Sequence, residues 1–344
     1  MSVPESQIKP ATQSNLKTAG KRLREGGLVA FPTETVYGLG GDATNDQAIA
    51  RIFTIKSRPS FNPLIVHLAD LATAEKVAIF DDRARRLAEH FWPGSLTLVL
   101  KRQADTKVSA LASAGLPTVA LRAPSNDIAQ ALLKYAGRPI AAPSANRSGN
   151  VSPTTAEHVA ASLGTAVDFI LDDGICEIGI ESTVLDISDD SALLLRPGAI
   201  TETMLSDVIG AIKVVTANDE KRPRSPGMTD RHYAPSIPVR LNATSVEPGD
   251  ALLSFGAHAI TGFAAERNLS NKGDLTEATA NFYRLLRDLD WSGFRTIAVM
   301  PIPEEGLGVA INDRLRRAAA ATEETASGQT KKSKKPKKRK HKHG

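Results

Sequence analysis

Residues 46–68 read DQAIARIFTIKSRPSFNPLIVHL, and this stretch contains a helix, a loop and a strand in immediate succession. From Asp46 to Lys56, apolar residues recur three or four positions apart behind an Asn-Asp start, which predicts an amphipathic helix. From Pro63 to Leu68, a short apolar run is typical of a buried strand. Strands that alternate with helices predict a mixed α/β fold rather than separate layers.

The same alternation extends from Asn15 to Ile212. Short runs rich in Val, Leu and Ile, bounded by Gly, Pro, Ser or Asp, predict further strands at Leu28 to Phe31, Ser95 to Lys101, Thr118 to Arg122, Pro139 to Ala142, Phe169 to Leu171, Thr183 to Ile187 and Leu193 to Arg196. Helical periodicity behind a start signal predicts further helices at Asp81 to Phe91, Asn126 to Tyr135 and Thr155 to Leu163.

A change of composition after Val215 divides the chain into domains. We predict a first domain at 12–212, a proline-dotted linker at 213–238 and a smaller α/β domain at 239–320. In the smaller domain, strands at 251–255 and 296–300 alternate with helices at 277–289 and 310–320, which favours a parallel sheet. We expect residues 1–11 to be flexible and residues 321–344 to be a disordered Lys-rich tail.

The net charge of +5 is concentrated in the tail. Residues 331–344 hold nine of the 43 Lys and Arg and no acid, so the remaining 34 basic residues against 38 acidic ones leave residues 1–330 at −4. The single cysteine, Cys176, excludes an internal disulfide, and neither a signal peptide nor about 18 consecutive apolar residues are found. We therefore expect a cytoplasmic globular enzyme that does not enter a membrane.

Polar residues follow several predicted strands, at the sheet edge where α/β proteins bind ligands. In PTETVYGLG, residues 32–40, Thr33 and Thr35 could contact a ligand or merely cap a turn. In residues 56–67, a proline-stiffened loop presents Lys56 and Arg58 together, as triphosphate binding requires, although cations at a helix end also complement the helix dipole.

Two further segments leave their role open. Arg122 lies in a hydrophobic strand, where it is costly unless it meets a substrate carboxylate or a structural acid. In AAPSANRSGNVSPT, residues 141–154, small and hydroxyl side chains suit phosphate binding but would also suit any loop. The sequence has neither a P-loop nor a G-x-G-x-x-G fingerprint, and its single cysteine and scattered histidines argue against a structural metal site.

Taken in order, PTETVYGLG, KSRPSFNPLIVH, FWPGSLTLVL, LPTVALRAP, APSANRSGNVSPT, ESTVLD and LRPG resemble the YrdC-like threonylcarbamoyl-AMP synthase family. SPGMTDRHYAP and GLGVAINDRLRRAA are similar to its longer, two-domain members, so the resemblance covers roughly residues 12–320. It implies a YrdC-like catalytic domain with a twisted mixed sheet and flanking helices, a linker that acts as a lid, and a small C-terminal Rossmann-like α/β domain.

The resemblance implies that ATP, accompanied by Mg²⁺, and bicarbonate activate L-threonine as threonylcarbamoyl-AMP, for N6-threonylcarbamoyladenosine in tRNAs that read codons starting with A. Lys56 and Arg58 would be catalytic. ATP would be bound by Arg58, Asn62, Thr118, Ser144, Asn146, Ser152, Arg196 and, from the linker, Tyr233. Threonine would be bound by Thr33, His67, Arg122, Ala142 and Ser182. The lid departs from the family pattern, because Thr229 and Asp230 stand where a basic or aromatic pair is expected and Arg231 is the nearest cation.

Partners and alternatives also follow from this interpretation. tRNA and the downstream threonylcarbamoyl transferase are candidate partners, and binding of double-stranded RNA is expected, whereas the Lys-rich tail is not part of the family pattern and receives no role from it. An RNA-binding or assembly factor without chemistry is an alternative, which deletion of residues 331–344 would test. A second alternative is carbamoyl transfer in hydrogenase maturation, where similar domains occur inside much larger proteins. This sequence lacks the zinc-finger cysteines and the acylphosphatase segment expected of those proteins.

Overall fold

The computed structural model describes residues 7–215 and 232–332, and for residues 322–332 it describes the helical backbone alone. Within the first range, eleven strands form one mixed sheet in the order β1-β8-β2-β3-β7-β4-β6-β5-β9-β10-β11. The strands are β1 (Ile8–Pro10), β2 (Val29–Phe31), β3 (Gly38–Asp42), β4 (Ile65–His67), β5 (Leu96–Lys101), β6 (Thr118–Arg122), β7 (Ile140–Ala141), β8 (Phe169–Asp172), β9 (Thr183–Asp186), β10 (Leu193–Arg196) and β11 (Lys213–Val214).

Helices cover both faces of this sheet. They are α1 (Gln13–Arg24), α2 (Asp46–Lys56), α3 (Leu71–Ala74), α4 (Asp82–Phe91), α5 (Asp127–Ala136), α6 (Ala156–Leu163) and α7 (Glu202–Ile209), with a 3₁₀ turn at Gly164–Ala166. Alternating side chains at β2 divide between two core clusters. Val29 and Phe31 belong to the cluster that includes α1 and α5, whereas Ala30 and Leu28, just before the strand, belong to the cluster that includes α2, α4 and α6. The sheet is therefore buried on both sides, and its polar side chains lie at the strand ends.

The smaller domain contains a second sheet, in which β12 (Val239–Arg240), β13 (Ala251–Ser254), β14 (Ala265–Asn268) and β15 (Ile297–Val299) are all parallel. Their order is β12-β15-β13-β14, and α8 (Leu275–Asp288) and α9 (Leu307–Lys332) pack against them. The predicted fold class, a mixed α/β sheet with flanking helices plus a small C-terminal α/β domain, is confirmed. The predicted domain boundaries stay predictions.

Both chain ends differ from the predictions. Residues Ile8–Pro10, predicted to be flexible, form strand β1, because their backbone pairs in parallel with β8 at the sheet edge. The backbone of residues 321–332, predicted to be disordered, continues helix α9. Residues 1–6 and 333–344 lie outside the described residues, as do residues 216–231 with Thr229, Asp230 and Arg231. Among the helices that are described, none has the length and apolar composition needed to cross a bilayer.

Candidate active site

A cavity of about 520 Å³, counted with its open mouth, lies at one edge of the large sheet. The ends of β4 and β6 meet there, because His67 pairs in register with Arg122. Nine of the predicted ligand residues line it: Thr33, Arg58, His67, Arg122, Ala142, Ser144, Ser182, Arg196 and Tyr233. The structure therefore brings segments that are far apart in the sequence to one place.

Lys56 and Arg58 bring buried positive charge to this cavity. The Lys56 ammonium donates to the carbonyl oxygen of Ser144 at 2.6 Å and to that of Asn146. The Arg58 guanidinium donates to the side-chain oxygen of Asn62 at 2.7 Å and to the carbonyl oxygen of Pro63 at 2.7 Å. Their hydrogen-bond acceptors are thus neutral oxygens, so an anionic ligand would gain from both charges.

Burial changes the protonation behaviour of these cations. It holds the pKa of Lys56 well below its ordinary value, with a further contribution from the neighbouring Arg58 charge. Burial also lowers the pKa of Arg58 to about 9. Charge that is this poorly compensated favours a bound polyanion, since phosphate oxygens would restore the pKa values of both side chains.

Arg122 meets an acid rather than solvent. Its guanidinium donates to a carboxylate oxygen of Glu34 at 2.6 Å, to the Thr35 hydroxyl at 2.9 Å and to the Gly94 carbonyl at 3.2 Å. Burial would raise the pKa of Glu34, but the Arg122 charge outweighs this and holds it below its usual value. Of the two partners considered for Arg122, the structural acid is present. Within the part of the chain that the structure describes, these contacts use three of the five guanidinium N–H groups, which leaves two for a ligand.

Thr33 and His67 lie beside Arg122. The Thr33 hydroxyl donates to the Val36 carbonyl at 2.7 Å, so this residue also closes the turn after β2. Burial, with the Arg122 charge, lowers the pKa of His67 to about 3, so its ring is neutral at neutral pH. Within the described residues, the buried Nδ1 of His67 has no hydrogen-bond partner. The imidazole can therefore contribute a neutral hydrogen-bonding atom.

Another part of the wall contains Arg196, which donates through Nε to the Ser182 carbonyl and through an Nη atom to the Ser182 hydroxyl, both at 3.0 Å. Tyr233 closes this wall in a left-handed conformation (φ 63°), and the next residue donates its N–H to the Gly149 carbonyl at 2.8 Å. The linker end is thus hydrogen-bonded to the loop after β7.

The remaining predicted residues lie behind or beyond the wall. Lys56 supports the wall by donating to the carbonyl oxygens of Ser144 and Asn146, and Asn62 supports it by accepting from Arg58. The Ser152 hydroxyl donates to Glu181. Thr118 lies at the other end of β6, opposite Lys101. Four residues of strand separate it from Arg122 by about 13 Å.

Among the titratable residues that line the cavity, sequence reasoning missed two, Glu181 and His232. Glu181 directly precedes Ser182, and His232 directly precedes Tyr233, so adjacency to a predicted ligand residue was the signal in the sequence that could have identified them. Burial, together with the charges of Arg58 and Lys56, holds the pKa of His232 well below its usual value. Burial would raise the pKa of Glu181, but two arginines, Arg314 and Arg196, keep it below the ordinary value.

Comparisons with known proteins show to which family the chain belongs. Residues 21–198 match a family model described as "Telomere recombination", and residues 200–320 match one described as "Threonylcarbamoyl-AMP synthase, C-terminal domain". The chain is 41% identical over 318 residues to a threonylcarbamoyl-AMP synthase of Bacillus subtilis, covering 88% of this chain and 92% of the relative. It is 40% identical over 323 residues to that of Pyrococcus abyssi, covering 88% and 94%.

A solved structure resembles the whole molecule. The crystal structure of Pyrococcus abyssi Sua5 complexed with L-threonine superposes with a TM-score of 0.84 at 36% identity, covering 92% of this chain and 97% of the other. The first family model alone spans more than half of the chain, and the relatives align over nearly their full length. The predicted family is thus confirmed, and the chain belongs to the threonylcarbamoyl-AMP synthases of the two-domain type, which are nucleotidyltransferase enzymes.

Proposed function

We propose that this enzyme condenses L-threonine, bicarbonate or carbon dioxide, and ATP to threonylcarbamoyl-AMP and pyrophosphate. One observation carries the proposal: a single cavity contains the buried, poorly compensated Arg58, with Lys56 behind it, and the polar cluster of Arg122 and His67. The first part suits a polyphosphate and the second an amino acid. The threonine complex of Pyrococcus abyssi Sua5 supports threonine as the amino acid.

The chemistry requires two bond-forming steps. The threonine amine first takes up bicarbonate, with loss of water, to give a carbamate. A carbamate oxygen then attacks the α-phosphorus of ATP, and the bond to the pyrophosphate breaks. Lys56 and Arg58 would offset the negative charge that develops on the phosphates. Since no covalent enzyme intermediate is needed, most of the rate would come from positioning both substrates and excluding water.

On the amino-acid side, Arg122 would bind the threonine carboxylate through its two remaining N–H groups, as a bidentate pair. The hydroxyls of Thr33 and Ser182 and the neutral His67 ring would surround the rest of the substrate. Ala142 has a small side chain and would leave the space that threonine needs.

On the nucleotide side, Ser144, Arg196 and Tyr233 would contact ATP, with Asn146 and Ser152 supporting them from behind the wall. Asn62 would orient Arg58 through its side-chain oxygen. Thr118 would contact a distal part of the nucleotide, consistent with its place at the far end of β6.

Mg²⁺ is proposed as a companion of ATP rather than a protein-held ion. Among residues 7–215 and 232–332, no three His, Cys, Asp or Glu side chains come together as a metal site. Glu181, which lines the cavity, and Glu34, which lies behind the lining residue Arg122, are both engaged by arginines. When bound, Mg²⁺ would neutralise phosphate charge, with phosphate oxygens and water as its ligands.

We further propose that the product serves modification of tRNAs that read codons starting with A, in the cytoplasm, through a separate threonylcarbamoyl transferase. The names of the relatives support this step, because a threonylcarbamoyl adenylate is an activated donor. Contacts with tRNA or other double-stranded RNA would involve the basic residues 331–344.

The decisive experiment measures pyrophosphate release and detects the adenylate by chromatography. We expect release only when ATP, threonine and bicarbonate are present together. Reactions with serine in place of threonine, or in bicarbonate-depleted buffer, are the controls. Equal release in either control would contradict the proposal.

A further inference from the structure

The small domain reaches the cavity through one carboxylate, Glu181, which is 6% exposed and immediately precedes Ser182. The Tyr283 hydroxyl, on α8, donates to its Oε2 atom at 2.7 Å. The guanidinium of Arg314, on α9, donates to the same atom at 3.1 Å. Two helices of the small domain therefore meet at a residue that lines the cavity of the large domain.

The same carboxylate holds the nucleotide side of the cavity. The Ser152 hydroxyl donates to its other oxygen, and Arg287, also on α8, donates to the Ser152 carbonyl at 3.2 Å. Ser152 is thus held on both its side chain and its backbone by groups that depend on the small domain.

Arg314 makes two more contacts with the nucleotide side. Its guanidinium donates at 2.8 Å to the carbonyl of Pro197, the residue after Arg196. Its guanidinium carbon also lies 5.3 Å from the centre of the Tyr233 ring, a cation–π distance. Arg314 is fully buried, so these contacts are not shared with solvent.

A buried ion pair of this kind contributes little net stability, because desolvation offsets most of the attraction between the charges. Its best-attested role is to specify one arrangement of the groups around it. Here those groups are Ser152, Pro197 beside Arg196, and Tyr233, all on the side of the cavity assigned to ATP.

We propose that Arg314 and Tyr283 act through Glu181 as positioning residues for ATP, so that docking of the small domain shapes the nucleotide side of the active site. This inference rests on the proposed function of the cavity. It also gives the small domain a role in substrate affinity.

The test separates positioning from stability. In the double variant Glu181→Gln/Arg314→Met, both charges of this buried pair are removed together, and Asp313, the second carboxylate on Arg314, keeps its ion pair with Arg317 at 3.2 Å, so the melting temperature should change little. We expect its KM for ATP to rise roughly tenfold, and that of Tyr283→Phe about three- to tenfold, as loss of one to two hydrogen bonds implies. In both variants the KM for threonine should stay within about twofold, because none of the replaced side chains is proposed to form a hydrogen bond with threonine.

Arg316→Met is the matched control, since Arg316 lies on the same helix but pairs with Glu304 at the surface. A lower kcat with an unchanged KM for ATP in the folded variants would show a structural role only and overturn the proposal. If the double variant does not fold, Tyr283→Phe decides alone by the same criterion.

Calorimetric titration with a non-hydrolysable ATP analogue keeps this test separate from that of the proposed function. If the unmodified enzyme forms no adenylate, the proposed function fails. Weaker analogue binding by Tyr283→Phe would still support positioning, and unchanged binding would contradict it.

Discussion

Arg58 shows how local structure prepares a cation for its ligand. Helix α2 ends at Lys56, and Ser57 then takes a left-handed conformation (φ 51°) that turns the chain sharply. The guanidinium is held by the backbone and side chain of Asn62, only four residues away. The short segment 56–62 therefore sets the orientation of the Arg58 side chain without help from distant residues.

Replacing Arg58 by alanine should lower kcat/KM for ATP about ten- to a hundredfold, because a hydrogen bond to a charged group contributes roughly 1.5 to 3 kcal/mol. Steady-state kinetics with ATP as the varied substrate would measure this. Arg51→Ala is the control, since Arg51 lies on the preceding helix, α2, and pairs with Asp168 at the surface. Unchanged kinetics would remove Arg58 from the active site.

At the scale of elements, the loop between β8 and β9 packs directly onto α8. Gly179 (φ 73°) lies so close that an added Cβ atom would be 2.6 Å from the carbonyl oxygen of Ala280 and 2.7 Å from that of Thr279. Both atoms belong to the helix backbone, which cannot move aside easily. This contact places Glu181 within reach of the small domain.

We expect Gly179→Ala to lower the free energy of unfolding by roughly 3 kcal/mol. Two costs add up, because alanine is strained in the left-handed conformation and its methyl group would be too close to the backbone of α8. Gly174→Ala is the control in the same loop, because Gly174 has a similar φ of 76° but no atom within 4 Å of the added Cβ. Its cost should be only about 1 kcal/mol. Equal losses in denaturant titrations of the two variants would contradict the proposed contact.

At the scale of the whole molecule, burial of neutral histidines couples stability to pH. Burial lowers the pKa of His67 to about 3 and that of His158 to about 4, and it holds that of His232 well below 6.5. Below pH 6.5 the unfolded chain therefore binds protons that the folded protein does not. Stability is then lost as the pH falls, and carboxylates with lowered pKa values, such as Glu34 and Glu181, add to the loss at lower pH.

The free energy of unfolding should thus decline from pH 6.5 towards pH 4, and His158→Gln should reduce the slope by up to about 1 kcal/mol per pH unit. His158 is suited to this test because it lies on α6, outside the residues that line the cavity. Denaturant titrations at several pH values would measure the slope. His90→Gln, at an exposed position of α4, is the control, and an identical slope in His158→Gln would contradict the prediction.

Local sequence was sufficient to define many of the helices and strands and the polar groups at their ends. Helix α2 and strand β6 have the predicted bounds, because periodicity and end signals act within a few residues. Strand β3, GLGGD, was not predicted, since glycine weakens strands in isolation. It forms because it pairs with β2, and this pairing brings the two strands so close that only glycine fits. A Cβ atom at Gly40 would lie 2.8 Å from the Phe31 ring.

Only the tertiary structure decided which partners these residues meet. Arg122 pairs with Glu34, 88 positions away, and Arg314 pairs with Glu181, 133 positions away. No local pattern encodes such pairs, because they depend on how the sheet and the two domains pack. The polar residues of the site were therefore readable one by one from the sequence, whereas the ion pairs and hydrogen bonds between them required the folded molecule.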